Sequence, residues 1–243
     1  MFIGHKLRRA AQKGGIEFVG RIDAADNGTL SSQTLALDSG LIDGIDTAVQ
    51  EGDLVIVAQS VNRGATDQNL TITTSGYTEV ADLYSNDTES INFGVHYKVM
   101  GATPDTDVEV PVYTGTFNSH VVMVFVFRGV DETTPMDVTA TTNTGTNTAD
   151  VNPPAITPIT NGAVIVTANG AAHDHGGAVT YSGLSEYAYS VERHRNAGTN
   201  DSSLLMGYVT GWESGAYDPA LHELSTDSVN NSNASVTMAL RPA

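Results

Sequence analysis

The sequence contains no cysteine. Disulfide bonds, zinc–thiolate centres and cysteine nucleophiles are therefore excluded. No apolar run approaches the ~18 residues that a membrane-spanning helix needs, so no membrane insertion is expected. The positive charges near the N-terminus are not followed by the apolar stretch of a signal peptide, and nothing else in the sequence predicts export.

Charged residues are also scarce, at 16% of the chain against roughly 25% in an average soluble protein. Thr, Ser, Asn and 24 Gly take their place, which is typical of short strands joined by tight turns. A helical bundle would need more Ala, Leu, Glu and Lys. The 243 residues therefore predict an all-β fold with a sizeable core.

Basic residues are few, 11 against 28 acidic ones, and they are unevenly placed. Residues 1–21 carry a formal charge of +4, whereas the other 222 carry −21. Such an acidic body repels nucleic acid and anionic membranes, so neither is an expected partner. The basic segment is suited to an acidic partner protein, and its anchoring candidates are Lys6, Arg8, Arg9 and Lys13.

A weak internal repeat links the two halves of the chain. GDLVIVAQS, from Gly52, resembles GAVIVTANG, from Gly162, and another apolar strand follows each after about seventy residues: VVMVFVFRG and ASVTMALRP. This pattern predicts two similar, interlocked halves of a sandwich, about 52–138 and 162–243. Chance similarity between short Val-rich strands is the alternative. The connector between the halves, 139–160, is rich in Thr, Asn and Pro, which predicts a hinge or an edge strand.

The segment Val121–Phe127 is apolar without a break. A half-solvated strand would alternate, so we expect this strand to be covered on both faces. The cover would come from the N-terminal segment or from a neighbouring subunit. Because an uncovered apolar strand aggregates, we also expect a homo-oligomer.

Several of these segments together resemble a domain common in structural proteins of tailed bacteriophages. They are GDLVIVAQS, GYTEV, HYKVMG, VVMVFVFRGVDETTPMDV, NGAVIVTANG and VTMALRP. The most specific element is Arg128-Gly129-Val130-Asp131 followed by Thr134-Pro135, and the sequence departs from the family at Tyr77, where Trp is usual. The resemblance covers about residues 41–243 and leaves 1–40 as a separate N-terminal attachment arm.

The resemblance implies an antiparallel, jelly-roll-like β-sandwich on the surface of a phage particle, with no enzymatic activity and no cofactor. The expected function is a tail-associated structural protein, such as a tail fibre or appendage, that assembles through its arm with other virion proteins and contacts a host-surface glycan. By family analogy a trimer is the first expected oligomer. A capsid decoration protein or head fibre is the alternative, and a surface-polysaccharide hydrolase is a second alternative from a different class.

No catalytic residue and no metal site is predicted with a specific motif. His173 and His175 lie two apart, as a joint metal site on a strand would require, but in a Gly-rich loop and without an evident third ligand. Asp105 and Asp107 fit either a calcium site or an acidic surface turn. The nucleophile motif G-x-S-x-G and the zinc motif H-E-x-x-H are both absent.

Two further groups have structural and functional interpretations. Arg128, Gly129, Asp131 and Pro135 predict a structural turn, in which Asp131 pairs with Arg128 or caps the turn. The loop aromatics either stack on a ligand or partner or plug the open end of the sandwich; they are Tyr181, Trp212 and Tyr217.

Overall fold

The computed structural model describes residues 15–26, 30–62, 66–111, 119–146, 150–174, 179–195, 200–225 and 231–243. These residues form strands, turns and irregular segments, with no helix among them. In particular, they include no helix that is long and apolar enough to cross a membrane. The strands, in chain order, are β1 (Glu17–Asp26), β2 (Ser32–Ala36), β3 (Leu54–Asn62), β4 (Thr78–Asn86), β5 (Ser90–Val99), β6 (Asp107–Pro111), β7 (Ser119–Arg128), β8 (Thr141–Thr146), β9 (Asp150–Val151), β10 (Ala163–His173), β11 (Tyr189–Arg195), β12 (Asp201–Trp212), β13 (His222–Glu223) and β14 (Ser232–Leu240).

Two antiparallel five-stranded sheets make up the sandwich. The first sheet has the order β1-β7-β3-β5-β4 and the second β11-β12-β10-β14-β8. Two short ribbons, β2-β6 and β9-β13, complete the described strands. The all-β, antiparallel sandwich predicted from composition is confirmed, whereas the finer expectation of jelly-roll connectivity is not.

The two sheets repeat the same topology. Each sheet is formed by one half of the chain. The order β1-β7-β3-β5-β4 in the first half corresponds, strand by strand, to β8-β14-β10-β12-β11 in the second. The outer ribbons repeat too, because β2-β6 and β9-β13 are formed from equivalent connections. The halves are therefore stacked face to face, one sheet each, rather than interlocked as the sequence analysis expected.

Local geometry repeats at the glycines that begin the central strands. Gly52 and Gly162 both have φ of 83°, a left-handed conformation that favours glycine. Their N–H groups donate to the carbonyls of Met100 (2.8 Å) and Trp212 (2.9 Å), which lie at equivalent strand ends. The similarity of GDLVIVAQS to GAVIVTANG thus corresponds to the same turn and the same central strand.

The main core lies between the two sheets. Central strand β3 packs over β10, β7 over β12 and β5 over β14, so that a pseudo-two-fold axis relates the sheets. The first sheet contributes Phe93, Phe125 and Phe127 to this interface, and the second contributes mainly aliphatic residues such as Val166, Leu204, Met206 and Met238. The phenylalanine rings of the first sheet therefore pack against aliphatic side chains of the second and, at Phe125 and Phe127, against the ring of Tyr208.

The apolar segment in β7 is buried on both faces, as expected. Alternate residues from Val121 to Phe127 face the second sheet, and Val122, Val124 and Val126 face a second core. That second core is covered by the chain itself, through Leu35 and Leu37, Leu41 and Val49, and Val108 and Val110. This strand therefore needs no neighbouring subunit for its cover.

The boundary expected at residue 40 differs from the structure. β1 pairs with β7 from Glu17 to Asp26, and β2 pairs with β6. Residues 17–26 and 32–36 are thus part of the sandwich, because alternation in EFVGRI and SQTLA gives each strand one face to bury.

Candidate functional site

Arg128, at the end of β7, makes a bidentate ion pair with Asp53, the residue just before β3. Its Nε lies 2.8 Å from Oδ1 and its Nη2 2.9 Å from Oδ2 of a carboxylate that is completely buried. The N–H of Gln50 donates to the same carboxylate at 2.8 Å. The hydrogen bonds with Asp53 raise the pKa of Arg128 above its usual value. This pair therefore fixes the end of β7 to the start of β3.

Asp131 caps the turn that follows β7. Its Oδ1 accepts the N–H groups of Thr133 (2.9 Å) and Thr134 (2.8 Å), which hold the pKa of Asp131 below its usual value. Gly129 has φ of 82°, which allows the chain to bend there. Of the two roles considered for Asp131, the structure shows the cap, since Asp53 is the partner of Arg128.

Arg241 and Asp137 form the equivalent pair in the second half. Arg241 Nε lies 3.2 Å from Oδ1 of Asp137, which is again a buried carboxylate. The N–H groups of Ile159 (2.6 Å) and Thr160 (3.0 Å) donate to its other oxygen. Burial alone would raise the pKa of Asp137, but these hydrogen bonds outweigh it and the pKa is lowered.

Backbone hydrogen bonds join the two pairs into one group, which we call the Arg–Asp cluster. The N–H of Asp131 donates to the carbonyl of Arg241 (2.9 Å), and that of Arg241 donates to the carbonyl of Pro135 (2.9 Å). Val130 and Pro242 form a β-bridge. Three segments that are far apart in sequence, GDLV, RGVDETTPMD and LRP, thus meet at one end of the sandwich.

Arg128, Gly129, Asp131 and Pro135 were predicted from the sequence, but the buried carboxylates of Asp53 and Asp137 were not. Two signals in the sequence pointed to the missing partners. Gly-Asp precedes the central strand of the first half, and Arg follows the last strand of both halves in the aligned repeat. Asp137 had no such signal, because its contact with Arg241 exists only in the folded chain.

The three candidate aromatics, Tyr181, Trp212 and Tyr217, pack against the outer face of the second sheet. Tyr181 is buried and its hydroxyl lies 2.8 Å from Ser203 Oγ. Tyr217 is buried with Ile156 and Ile165, and its ring is edge-on to Trp212 at 4.8 Å. Tyr181 and Tyr217 therefore do not offer the open stacking faces that a ligand or partner would need.

The candidate metal residues are engaged differently. Asp105 forms an ion pair with Lys98 at 2.6 Å, and Asp107 begins β6. His173 is buried at the end of β10, while His175 lies outside the described residues. Within the part of the chain that the structure describes, no group of three or more His, Asp or Glu side chains is placed to hold a metal ion.

The anchoring candidates Lys6, Arg8, Arg9 and Lys13 also lie outside the described residues. The remaining basic residue of the N-terminal segment, Arg21, is part of the sandwich. Its Nε is 2.7 Å from the Tyr189 hydroxyl and 2.9 Å from Asp43, and Tyr189 donates to the same carboxylate at 2.8 Å. Arg21 thus links β1 to β11, where the two sheets meet at one side.

That side is closed, and we call it the sealed edge. Phe18 in β1 packs against Tyr189 and Tyr208 of the second sheet, with ring centroids 5.2 and 4.9 Å apart. The free side of β1 is bonded by the segment 42–46, through Arg21 with Ile42 and Val19 with Asp46. The core is therefore closed there, and the backbone of β1 is covered from Phe18 to Arg21.

The opposite side, where β4 lies beside β8, is the open edge. Thr142, Thr144 and Thr146 share a face with the inward residues of β14, yet all three are exposed. A groove of about 200 Å³ lies between the start of β4 and the segment that precedes β8. It is lined by Thr78, Glu79, Val80, Tyr97, Met136, Val138, Thr139 and Ala140.

Comparison with known proteins gives no relative for this chain. No protein-family model matches it. No curated protein and no solved structure matches it either.

Proposed function

We propose that the chain is a non-enzymatic structural protein of a tailed-bacteriophage particle, attached to the tail and displaying its sandwich for assembly and host-surface contact. The proposal starts from the resemblance of GDLV, RGVDETTPMD and LRP to a phage structural domain. It is supported by one observation: these three distant segments converge in the Arg–Asp cluster. Residues that jointly hold two sheets together are those that proteins of one architecture would share.

The duplicated, acidic sandwich agrees with a display role. Both central strands are completely buried and the halves bury one common core, so the body is a stable platform rather than a mobile binding module. The basic residues of the described sandwich are largely paired with aspartates, as in Arg21, Lys98, Arg128 and Arg241. The positive charge that could bind an acidic partner therefore lies in residues 1–14, which contain Lys6, Arg8, Arg9 and Lys13 and no acidic residue.

Deletion of residues 1–14 tests this anchor. We expect the truncated chain to melt at the temperature of the full chain but to be absent from purified particles, as measured by mass spectrometry. A full-length variant with Lys6, Arg8, Arg9 and Lys13 all changed to Gln should show the same loss if charge carries the contact. Normal incorporation of both variants would contradict the anchor.

Deletion of residues 1–21 is the matched comparison. It also removes Ile16, Phe18, Val19 and Arg21, which pack or bond within the sandwich, so we expect a lower melting temperature. Imaging of particles that carry a labelled full-length copy tests the location. Label at the tail supports the proposal, whereas label on the capsid or no incorporation at all contradicts it.

A further inference from the structure

The four strands at the sides of the sandwich are not equally protected. An edge strand exposes unpaired backbone N–H and C=O groups, and proteins usually protect it with charges, bulges or a covering segment. β1 is covered from Phe18 to Arg21 by segment 42–46, and the rest of the strand carries Asp23 and Asp26. β4 carries Glu79 and Asp82 and a bulge between Glu79 and Ala81, and β11 carries Glu192, Arg193 and Arg195.

β8 has none of these protections. Its sequence, TTNTGT, contains no charge, no proline and no bulge, and most of its residues are exposed. It pairs with β14 on one side, and among the described residues no other backbone group bonds to it. One side chain does, since the Ser85 hydroxyl of β4 donates to the Gly145 carbonyl at 2.9 Å. Within the described part of the chain, the N–H and C=O groups that β8 directs away from β14 thus have no strand partner.

Because of the internal duplication, the unprotected strand β8 has an equivalent strand in the first half, β1. β1 and β8 are the first strands of the two halves and hold equivalent places at opposite sides of the sandwich. In the first half, the segment before the central strand bonds to the free side of β1. In the second half, the corresponding segment contains Pro153, Pro154 and Pro158, and it turns onto the outer face, where Ile156 bridges Tyr217. The covering contact of the first half is therefore not repeated.

Charge indicates which partner fits β8. The chain carries −17, so two copies repel wherever acidic surfaces meet. A two-fold contact places the same surface of both copies together, so a charged strand would meet its own charges, and β8 is the side strand that contains no charged residue. Threonines that lie opposite each other on two antiparallel strands stabilise their pairing, and β8 contains four threonines.

We propose that two copies of this chain associate by pairing their β8 strands antiparallel across a two-fold axis. The pairing joins the second sheets of both copies into one continuous ten-stranded sheet. It brings Thr142, Thr144 and Thr146 of both copies onto one face beside the open edge. This inference is independent of the proposed virion role, since a soluble dimer tests it without any particle.

Sedimentation and native mass spectrometry of the full chain give the first test. We expect a species of twice the 25.5 kDa chain mass at micromolar concentration. A monomer at that concentration overturns the inference. So does a trimer, the oligomer expected first from family analogy.

Charge variants locate the contact. Thr142→Lys/Thr144→Lys places like charges opposite each other in the dimer and should weaken dimerisation about tenfold or more. Thr142→Glu/Thr144→Glu should do the same, and an equimolar mixture of the two variants should restore the dimer. The matched control is Thr71→Lys/Thr73→Lys, two exposed threonines at the same spacing outside β8, which should leave the dimer intact.

Cross-linking provides a second measurement that does not depend on affinity. Because the chain has no cysteine, single Thr142→Cys, Asn143→Cys and Thr144→Cys variants each introduce a unique thiol. At least one should form a disulfide-linked dimer on mild oxidation, whereas Thr71→Cys should not. A dimer that the β8 lysines leave unchanged, or that links equally well through Thr71→Cys, overturns the inference.

Discussion

At the residue scale, the two buried carboxylates reach equivalent places by different routes. Asp53 directly follows Gly52 and precedes central strand β3, whereas the residue that follows Gly162 is Ala163, the first residue of β10. In the second half the buried carboxylate is that of Asp137, which binds Arg241 and the N–H of Thr160, two residues before Gly162. Asp53 likewise binds Arg128 and the N–H of Gln50, two residues before Gly52. Both halves thus pair a strand-end Arg with a buried Asp, although the Asp comes from a different position in each.

Arg128→Ala should therefore destabilise the protein by about 3 kcal/mol, because it leaves the buried Asp53 carboxylate with far fewer partners. Urea unfolding measures the change. The double variant Arg128→Ala/Asp53→Ala should recover part of the loss, since the unpaired buried charge is then gone. Equal losses in the single and double variants would contradict this account.

His120 gives a residue-scale prediction about pH. It is completely buried on the outer face of β7, with Nδ1 3.1 Å from Gln33 Nε2, and burial lowers its pKa to about 4. In the unfolded chain a histidine has a pKa of about 6.5. Between these values the unfolded chain binds a proton that the folded chain does not, so the His120 contribution to the unfolding free energy falls as pH decreases from about 6.5 to about 4.

The comparison of the protein with His120→Asn isolates that contribution. Urea unfolding at several pH values should give a slope of unfolding free energy against pH that is smaller in the variant by up to about 1.4 kcal/mol per pH unit within this window. The slopes should coincide above pH 7. Parallel curves throughout the acid range would show that His120 does not carry the effect.

At the element scale, strand β7 was predictable and its cover was not. An unbroken apolar run in a chain of alternating strands indicates burial on both faces, and both faces of β7 are buried. The covering ribbon, β2-β6, consists of two five-residue strands far apart in sequence, with one inward apolar residue in β2 (Leu35) and two in β6 (Val108 and Val110). Patterns that short are not specific, because only the pairing of β2 with β6, more than 70 residues away, reveals the sheet.

Leu35→Ala tests the contribution of this ribbon. Leu35 is completely buried in β2 against the outer face of the first sheet, so its truncation should cost about 2–5 kcal/mol of unfolding free energy. Leu221→Ala is the control, because Leu221 is 44% exposed and should change stability little. Similar losses at both positions would contradict the assignment of β2 as an essential cover.

At the scale of the whole molecule, the sequence repeat anticipated the duplication but not its arrangement. The similar strands fall at equivalent positions of the two sheets, and the strand order is the same in both. Interlocking of the halves was wrong, because strand similarity alone does not determine which strands become neighbours. The inward rings of Phe93, Phe125 and Phe127 in one sheet and the aliphatic residues of the other explain why each sheet faces its counterpart.

Fragments 1–138 and 139–243 should consequently be unstable apart. Each would expose the inner face of its sheet, including Phe125 and Phe127 in the first and Leu204 and Met206 in the second. We expect neither fragment alone to show a cooperative thermal transition by circular dichroism, and an equimolar mixture to restore one. A fragment that melts cooperatively as a monomer would contradict the shared core.

The segment between the halves, residues 136–140, is held tightly where the two sheets meet. Met136 bridges Leu240, the N–H of Asp137 donates to the carbonyl of Ala239 at 2.8 Å, and the Asp137 carboxylate binds Ile159, Thr160 and Arg241. Duplicated sandwiches are suited to domain swapping, in which two chains exchange equivalent halves through an extended hinge. Since these contacts of residues 136–140 are all with the second half, the hinge would have to lie in residues 129–135, which bond to that half through Gly129, Asp131 and Pro135. An exchange would first have to break these three backbone hydrogen bonds, which hold each half to the partner half of its own chain.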